Sequence, residues 1–291
     1  MNIKELKTKQ EIEDYFEQLN YEKVNIIAID IEGEYNLHCY GEHLCLIQIY
    51  DNKNEIIIDP LKFKDENTLT HILKIIFESR KILKIMYDSS SDASLLKNRY
   101  KIKINSVLDL RPAVHLLDYN KQSLANILEI ELGISPPEKK KFQMYNWMKR
   151  PINDRALEYA ISDVKYLFEL KKILMNKLIE RGLLDEYMLM NLMVQNKEDN
   201  HDAEAKYNKR KGYIYLNEAK KNLFRQIYDI RDKYAKMINK PPGMILSNLN
   251  VLTLIKGQKN TFKFLDSYIH RSINSNLREM IIDDMINVLD K

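Results

Sequence analysis

Residues 24–32 read VNIIAIDIE, a β-branched run of strand length that ends in two acids, Asp30 and Glu32. Side chains of a strand alternate between its faces, so residues two apart share one, and both carboxylates point the same way. Like charges side by side repel, which costs stability unless a cation joins them. A plainer account is a pair of surface acids closing a strand, and the pair alone does not decide between the two.

Toward the C-terminus, LCLIQIY (44–50) and EIII (55–58) are further strand candidates, punctuated by Gly41 and the Asp51-Asn52-Lys53-Asn54 cluster in hairpin-like turns. Three strands in quick succession suggest an antiparallel meander. Leu69, Ile72, Leu73, Ile75 and Ile76 recur at helical spacing over 65–79, and KILKIM (81–86) gives a fourth strand. A crossover helix is how such a strand is added parallel to an existing one. Toward the N-terminus, residues 1–20 read as an amphipathic helix with Leu6, Ile12, Phe16 and Leu19. That segment has no apolar secretory core, so export is not expected.

From Ser91 onward helical spacing dominates, over about 92–99, 109–118, 122–132 and 153–180, with Pro136-Pro137 and Lys139-Lys140-Lys141 in a loop. Residues 195–211 are nearly devoid of aliphatic side chains and dense in charge. The domain expectation is therefore an α/β core over 1–195, a linker over 196–212 and a small all-helical domain over 213–291, broken at Asn239-Lys240-Pro241-Pro242-Gly243.

Composition narrows the classes. With 291 residues, 45% apolar and 30% charged, the chain can bury a core, and charges interrupt every apolar run, so no membrane span is expected. Two cysteines, Cys39 and Cys45, make neither a disulfide framework nor a structural zinc site, which favours a reducing, cytoplasmic setting. A net charge of +4 permits a nucleic-acid partner without requiring one. Seven glycines, with no glycine-rich loop, argue against P-loop or dinucleotide chemistry, and no organic cofactor is expected. Oligomeric state is not legible.

Three further positions join the first pair. Asp92 lies in SSSDASLL (89–96), at a strand-to-helix junction where an acid also serves as an ordinary helix cap. Tyr159 and Asp163 are four apart on a helix, hence on one face. Carboxylates from a strand end, a junction and a later helix can converge and hold two divalent ions, about 3.5–4 Å apart in sites of this kind. Hard oxygen ligands without paired His or Cys favour Mg²⁺ or Mn²⁺ over zinc, and such an ion pair suits in-line displacement at phosphorus.

The order Asp-x-Glu, Asp, Tyr-x-x-x-Asp resembles the tyrosine branch of the DEDD 3′→5′ exonucleases. LCLIQIYD (44–51), SVLDLRPAVHLL (106–117), SLANILEIEL (123–132), WMKRP (147–151) and YAISDVKYL (159–167) are similar to ribonuclease D and its exosome-associated relative. In the tail, IYDIRDKYAKMINKPPGMILSN (227–248) resembles the helical HRDC domain, with Arg225, Arg231, Lys233 and Lys236 on a face that solvation alone would also explain. The resemblance implies an RNase H-like core, a mixed sheet flanked by helices, followed by an HRDC-like domain. It implies Asp30, Glu32 and Asp163 on one metal, Asp30 bridging to a second that Asp92 supports, and Tyr159 orienting the attacking water. One departure stands out: the family's His-Gly pair before the second-motif acid is here Tyr87-Asp88. Glu34 adds another nearby acid.

The implied activity is removal of nucleotides from single-stranded RNA 3′ ends, in tRNA precursors or other structured RNA, releasing nucleoside 5′-monophosphates. Trp147, Phe142 and Tyr145 are candidates to stack terminal bases, beside Lys141, Lys149 and Arg150 for phosphates. Trp147 reads equally as a core anchor. Two alternatives are a DNA exonuclease with the same chemistry and an inactive nucleic-acid-binding scaffold of the same fold.

Overall fold

The computed structural model describes residues 3–135, 142, 144–195, 207, 210, 212–257 and 261–290. The chain forms two units: Met1–Glu34 with Glu42–Lys197, and Tyr35–Gly41 with Glu198–Lys291.

The first unit is a mixed sheet between helical layers. Its strands are β1 (Ile3–Leu6), β2 (Ile26–Tyr35), β3 (Glu42–Tyr50), β4 (Glu55–Ile58), β5 (Leu83–Met86) and β6 (Val107–Asp109), in the order β1-β4-β3-β2-β5-β6. β3 runs antiparallel to β4, whereas β1 joins β4, and β5 joins both β2 and β6, in parallel. The helices are α1 (Lys9–Tyr21), α2 (Glu66–Leu73, extended by a π-type turn), α3 (Ser90–Tyr100), α4 (Arg111–Leu116), α5 (Leu124–Leu132), α6 (Asp154–Lys165), α7 (Leu167–Glu180) and α8 (Leu184–Gln195).

Alternation along β2 decides where the acids go. Ile27, Ile29 and Ile31 enter the layer filled by Ile12 and Phe16 of α1, Leu73 of α2 and Leu95 of α3. Ala28 faces the opposite layer, among Ala156, Tyr159, Ala160 and Val164 of α6. Asp30 and Glu32 follow Ala28 by two and four residues, so they share its face, toward α6.

Four expectations change. Ile3–Leu6 is a strand, and the helix begins only at Lys9, where Thr8 and Glu11 form a capping box. A four-residue edge strand is recognised by its partner, β4, and not by its own periodicity. The helix expected over 153–180 breaks at Tyr166, with φ −100° and ψ 1°, into α6 and α7. Val107–Asp109 pairs with β5 as a strand, and α8 was not anticipated.

In the second unit, α9 (Glu218–Met237), α10 (Pro242–Ile245), α11 (Asn248–Ile255), α12 (Thr261–Tyr268) and α13 (Ser275–Leu289) enclose Phe224, Ile227, Leu246, Val251, Ile281 and Met285. Arg231, for which a solvated helix face was the plainer alternative, is 3% exposed, so that alternative does not hold for it. It lies over the Tyr228 ring at 4.1 Å and donates to the Leu246 carbonyl and the Asn248 side chain. Arg231 thus ties α9 to the Leu246–Asn248 turn. Tyr35–Gly41, expected in the first domain, belongs to this unit because Tyr40 packs on its core and donates to Asp232 at 2.6 Å. The expected linker lies largely outside the described residues, although Tyr207 and Tyr213 within and beside it join the helical core.

Candidate active site

Three of the expected residues meet directly. One carboxylate oxygen from each of Asp30, Glu32 and Asp163 lies within 4.8 Å of the others. β2 supplies the first two. α6 supplies the third, held to the sheet by the small residues Ala156 and Ala160 and started by Asn153, whose side chain accepts from the Arg155 N–H. Burial and the neighbouring acids raise the Asp30 carboxyl well above the carboxylate range: desolvation first, then Asp92, then Asp163. For Glu32 the causes are desolvation, then Asp30, Asp163 and Asp92. Like charges disfavour one another's ionised forms in a poorly solvated place. The remedy is protons or a multivalent cation. The donor set is all carboxylate oxygen, which fits a hard divalent ion.

Asp92 comes from α3, at the third helical position, and is 8% exposed. Asp92 is not the cap itself, since Ser89 occupies that position without a side-chain cap bond, but it does sit in the first turn, an ordinary place for an acid. Desolvation, with Asp109 and Asp88 nearby, pushes Asp92 up to about 8. Tyr159 lies one turn before Asp163 and donates its hydroxyl hydrogen bond to it. Desolvation, followed by Asp163, Glu32 and Asp30, raises the Tyr159 phenol, so it stays protonated through the neutral range. The five residues chosen from sequence therefore share one electrostatic neighbourhood.

The departure at Tyr87-Asp88 has a local cause. Asp88 adopts φ 60°, the left-handed conformation where glycine is the usual choice and Asp among the tolerated substitutes. Its carboxylate pairs with Arg111, and the Tyr87 hydroxyl donates to the Gln122 carbonyl at 2.5 Å. Glu34 is buried, at 2% exposed.

The expected base-stacking surface is corrected. Trp147 and Phe142 are each 4% exposed and belong to the core beneath α6. Phe142 stacks on Tyr159, with centroids 5.1 Å apart and planes at 24°, and Trp147 meets Tyr145 edge-on at 4.8 Å. Arg150 is not a spare cation: it holds Asp59 through two 2.7 Å bonds and reaches the carbonyls of Cys45, Trp147 and Lys149. Tyr145 is half-buried and accepts from the Asn153 N–H, Lys149 is exposed, and Lys141 lies outside the described residues.

Sequence reasoning overlooked Asp109. This buried carboxylate accepts from the N–H groups of Asp88, Ser89 and Arg111 and from the Ser89 hydroxyl. A signal was present: like Asp30, it is an acid placed directly after an aliphatic strand residue.

The chain resembles known nucleases over most of its length. Ribonuclease D of Desulfotalea psychrophila is 27% identical over 239 residues, 78% of this chain and 60% of that protein, so the chain spans under two thirds of that relative. Among solved structures, the catalytic core of RRP6 from Trypanosoma brucei shares the fold with a TM-score of 0.76 at 20% identity, across 99% of this chain and 79% of that one. Escherichia coli RNase D, described as an exoribonuclease involved in structured RNA processing, has a TM-score of 0.70 at 21% identity, across 99% and 76%. Residues 3–179 match the 3′-5′ exonuclease family model, covering both β2 with its acid pair and α6 with Tyr159 and Asp163, and the chain belongs to that family.

Proposed function

We propose that this chain is a 3′→5′ exoribonuclease that shortens single-stranded RNA 3′ ends, in tRNA precursors or other structured RNA, one nucleoside 5′-monophosphate at a time. The observation that carries the reading is the convergence of Asp30, Glu32 and Asp163 within 4.8 Å, with Asp92 among the causes that raise Asp30 and Glu32. Bound there, two Mg²⁺ or Mn²⁺ ions would supply charge neutralisation and Lewis acidity for phosphodiester hydrolysis. Asp30, Glu32 and Asp163 would hold one ion, and Asp30 with Asp92 the other. Water attacks the terminal phosphorus, the bond to the preceding 3′ oxygen breaks, and the nucleotide leaves with its 5′ phosphate.

Tyr159 serves this step as a positioning phenol. A proton-bearing hydroxyl fixed to Asp163 can orient a water by accepting its hydrogen bond, but it is a poor base at neutral pH. The relatives named ribonuclease D support RNA over DNA as substrate. Lys149 and Tyr145 remain candidates to contact the strand. The helical domain over 213–291, following a linker at 196–212, would add an HRDC-like surface for RNA. A chain with two cysteines, too few for a disulfide framework, suits a cytoplasmic setting.

Incubating the protein with 3′- and 5′-labelled RNA, with and without Mg²⁺ or Mn²⁺, tests the reading. A 3′ label should appear at once as mononucleotide while 5′-labelled RNA shortens stepwise, both only with the metal. Release from the 5′ end, or digestion that persists in chelator, would refute it. Faster digestion of a matched DNA strand would move the substrate class to DNA.

A further inference from the structure

Asp109 ends β6, separated from β2 by β5, and is 3% exposed, yet none of the proposed chemistry uses it. A buried carboxylate without partners is costly, and this one has them in full. Oδ1 accepts from the N–H groups of Asp88 and Arg111, each at 2.9 Å. Oδ2 accepts from the Ser89 N–H and the Ser89 hydroxyl, each at 2.8 Å. Asp88 and Ser89 form the turn that enters α3, and Asp92 sits three residues beyond Ser89 on its first turn. The turn includes the left-handed Asp88, so the carboxylate secures backbone that would otherwise relax.

A second layer secures Asp109 itself. Its N–H donates to Asn191 Oδ1 at 2.7 Å, and its carbonyl accepts from the Tyr187 hydroxyl at 2.9 Å and from Asn191 Nδ2 at 3.3 Å. Tyr187 and Asn191 are the buried side chains of α8, at 0% and 3% exposed. One turn apart, they reach the same residue. Met188, Leu189, Leu192 and Met193 of α8 are half exposed or more, so these polar contacts add to the core packing of Leu184 and Tyr187 in joining the helix to the sheet.

We infer that Asp109 is a positioning residue for Asp92, and that Tyr187 and Asn191 of α8 complete the clamp. This rests on the proposed nuclease chemistry. Asp109 is not one of the clustered carboxylates. It sets where the first turn of α3 presents the fourth carboxylate.

Asp109→Asn replaces one acceptor oxygen with an N–H₂ group that cannot accept from the same donors. The turn should loosen while the fold persists. Groups that orient metal ligands typically matter by about 10–100-fold in affinity or activity, and that is the expected fall in kcat, with KM for RNA within about threefold of wild type. Calorimetric Mn²⁺ titration should show one weakened class of site and one preserved. Asp92→Asn combined with Asp109→Asn should be no slower than Asp92→Asn alone, because the two changes remove one function. Multiplying effects in the double variant, or Mn²⁺ binding by Asp109→Asn identical to wild type, would overturn the inference. Should Asp109→Asn lose its cooperative melt, Tyr187→Phe and Ser89→Ala each remove a single hydroxyl from the clamp, and an unchanged kcat and Mn²⁺ titration in both would overturn it. A wild-type protein that binds no Mn²⁺ and leaves RNA intact is a different result, and removes the nuclease reading itself.

Discussion

Two groups of buried or half-buried acid stand in the first unit, and their surroundings are opposite. Asp59, 4% exposed, is gripped by Arg150 in a two-bond pair and also accepts from the Leu61 N–H. Asp30, Glu32 and Asp163 face one another, with Asp92 adding to the repulsion. The first arrangement neutralises itself and braces the turn around Trp147. The second crowds like charges together, a strain that protons or a divalent ion relieve. A satisfied carboxylate reports architecture, and a crowd of unneutralised ones reports a ligand.

The comparison breaks if the two groups respond alike to loss of one acid. Asp30→Asn should abolish turnover, by roughly 10³-fold or more if charge stabilisation at the reacting phosphate is what is lost. The same change should raise the melting temperature of the metal-free protein, because it removes a repelling charge. Turnover of labelled RNA and a thermal melt in chelator check both halves, and near-normal activity would sink the assignment.

Asp59→Asn should do the reverse. It leaves the guanidinium of Arg150 without its counter-charge in a partly buried place, and removing one member of a buried pair costs about 3–5 kcal/mol. With 27% of the Arg150 side chain exposed, solvent lowers the expected loss to about 2 kcal/mol. Denaturant melts measure it, and kcat should stay within a few-fold of wild type.

Tyr159→Phe keeps the ring stacked on Phe142 and deletes only the hydroxyl bonded to Asp163. We expect kcat to fall by about 10–100-fold with little change in KM. An unchanged kcat would take the phenol out of the mechanism.

The smallest effect is on pH dependence. Asp30, Glu32 and Asp92 have folded-state values above their unfolded ones, Asp92 at about 8. Between the unfolded values near 4 and the raised ones, the folded chain holds more protons than the unfolded chain. The contribution of these acids to stability is therefore full below pH 4 and is lost as pH rises toward 8. In chelator, their share of the melting temperature should fall over that window. Mg²⁺ should stabilise more at pH 8 than at pH 5, since it competes with fewer protons. Equal stabilisation at both would argue that the acids are not the ion's ligands.

Local pattern and long-range packing divided the molecule between them. The alternation of VNIIAIDIE and the four-residue spacing of Tyr159 and Asp163 are short-range properties, legible because backbone geometry alone puts those side chains on one face. Spacing left convergence of the acids open, and the family resemblance implied it. What could not be read were elements whose existence depends on a distant partner. Ile3–Leu6 is a strand because β4 lies beside it, and α8 is anchored because Tyr187 and Asn191 find Asp109 about eighty residues earlier. The fates of Trp147, Phe142, Arg150 and Arg231 were equally hidden. An aromatic or a guanidinium has the same composition whether it meets a nucleotide, a tyrosine ring or a buried aspartate, and only the folded neighbourhood selects which. Sequence by itself determined which acids share a face and which match the family pattern, because periodicity is local. The tertiary structure decided which charges are spoken for, because neutralisation is a matter of distance in space.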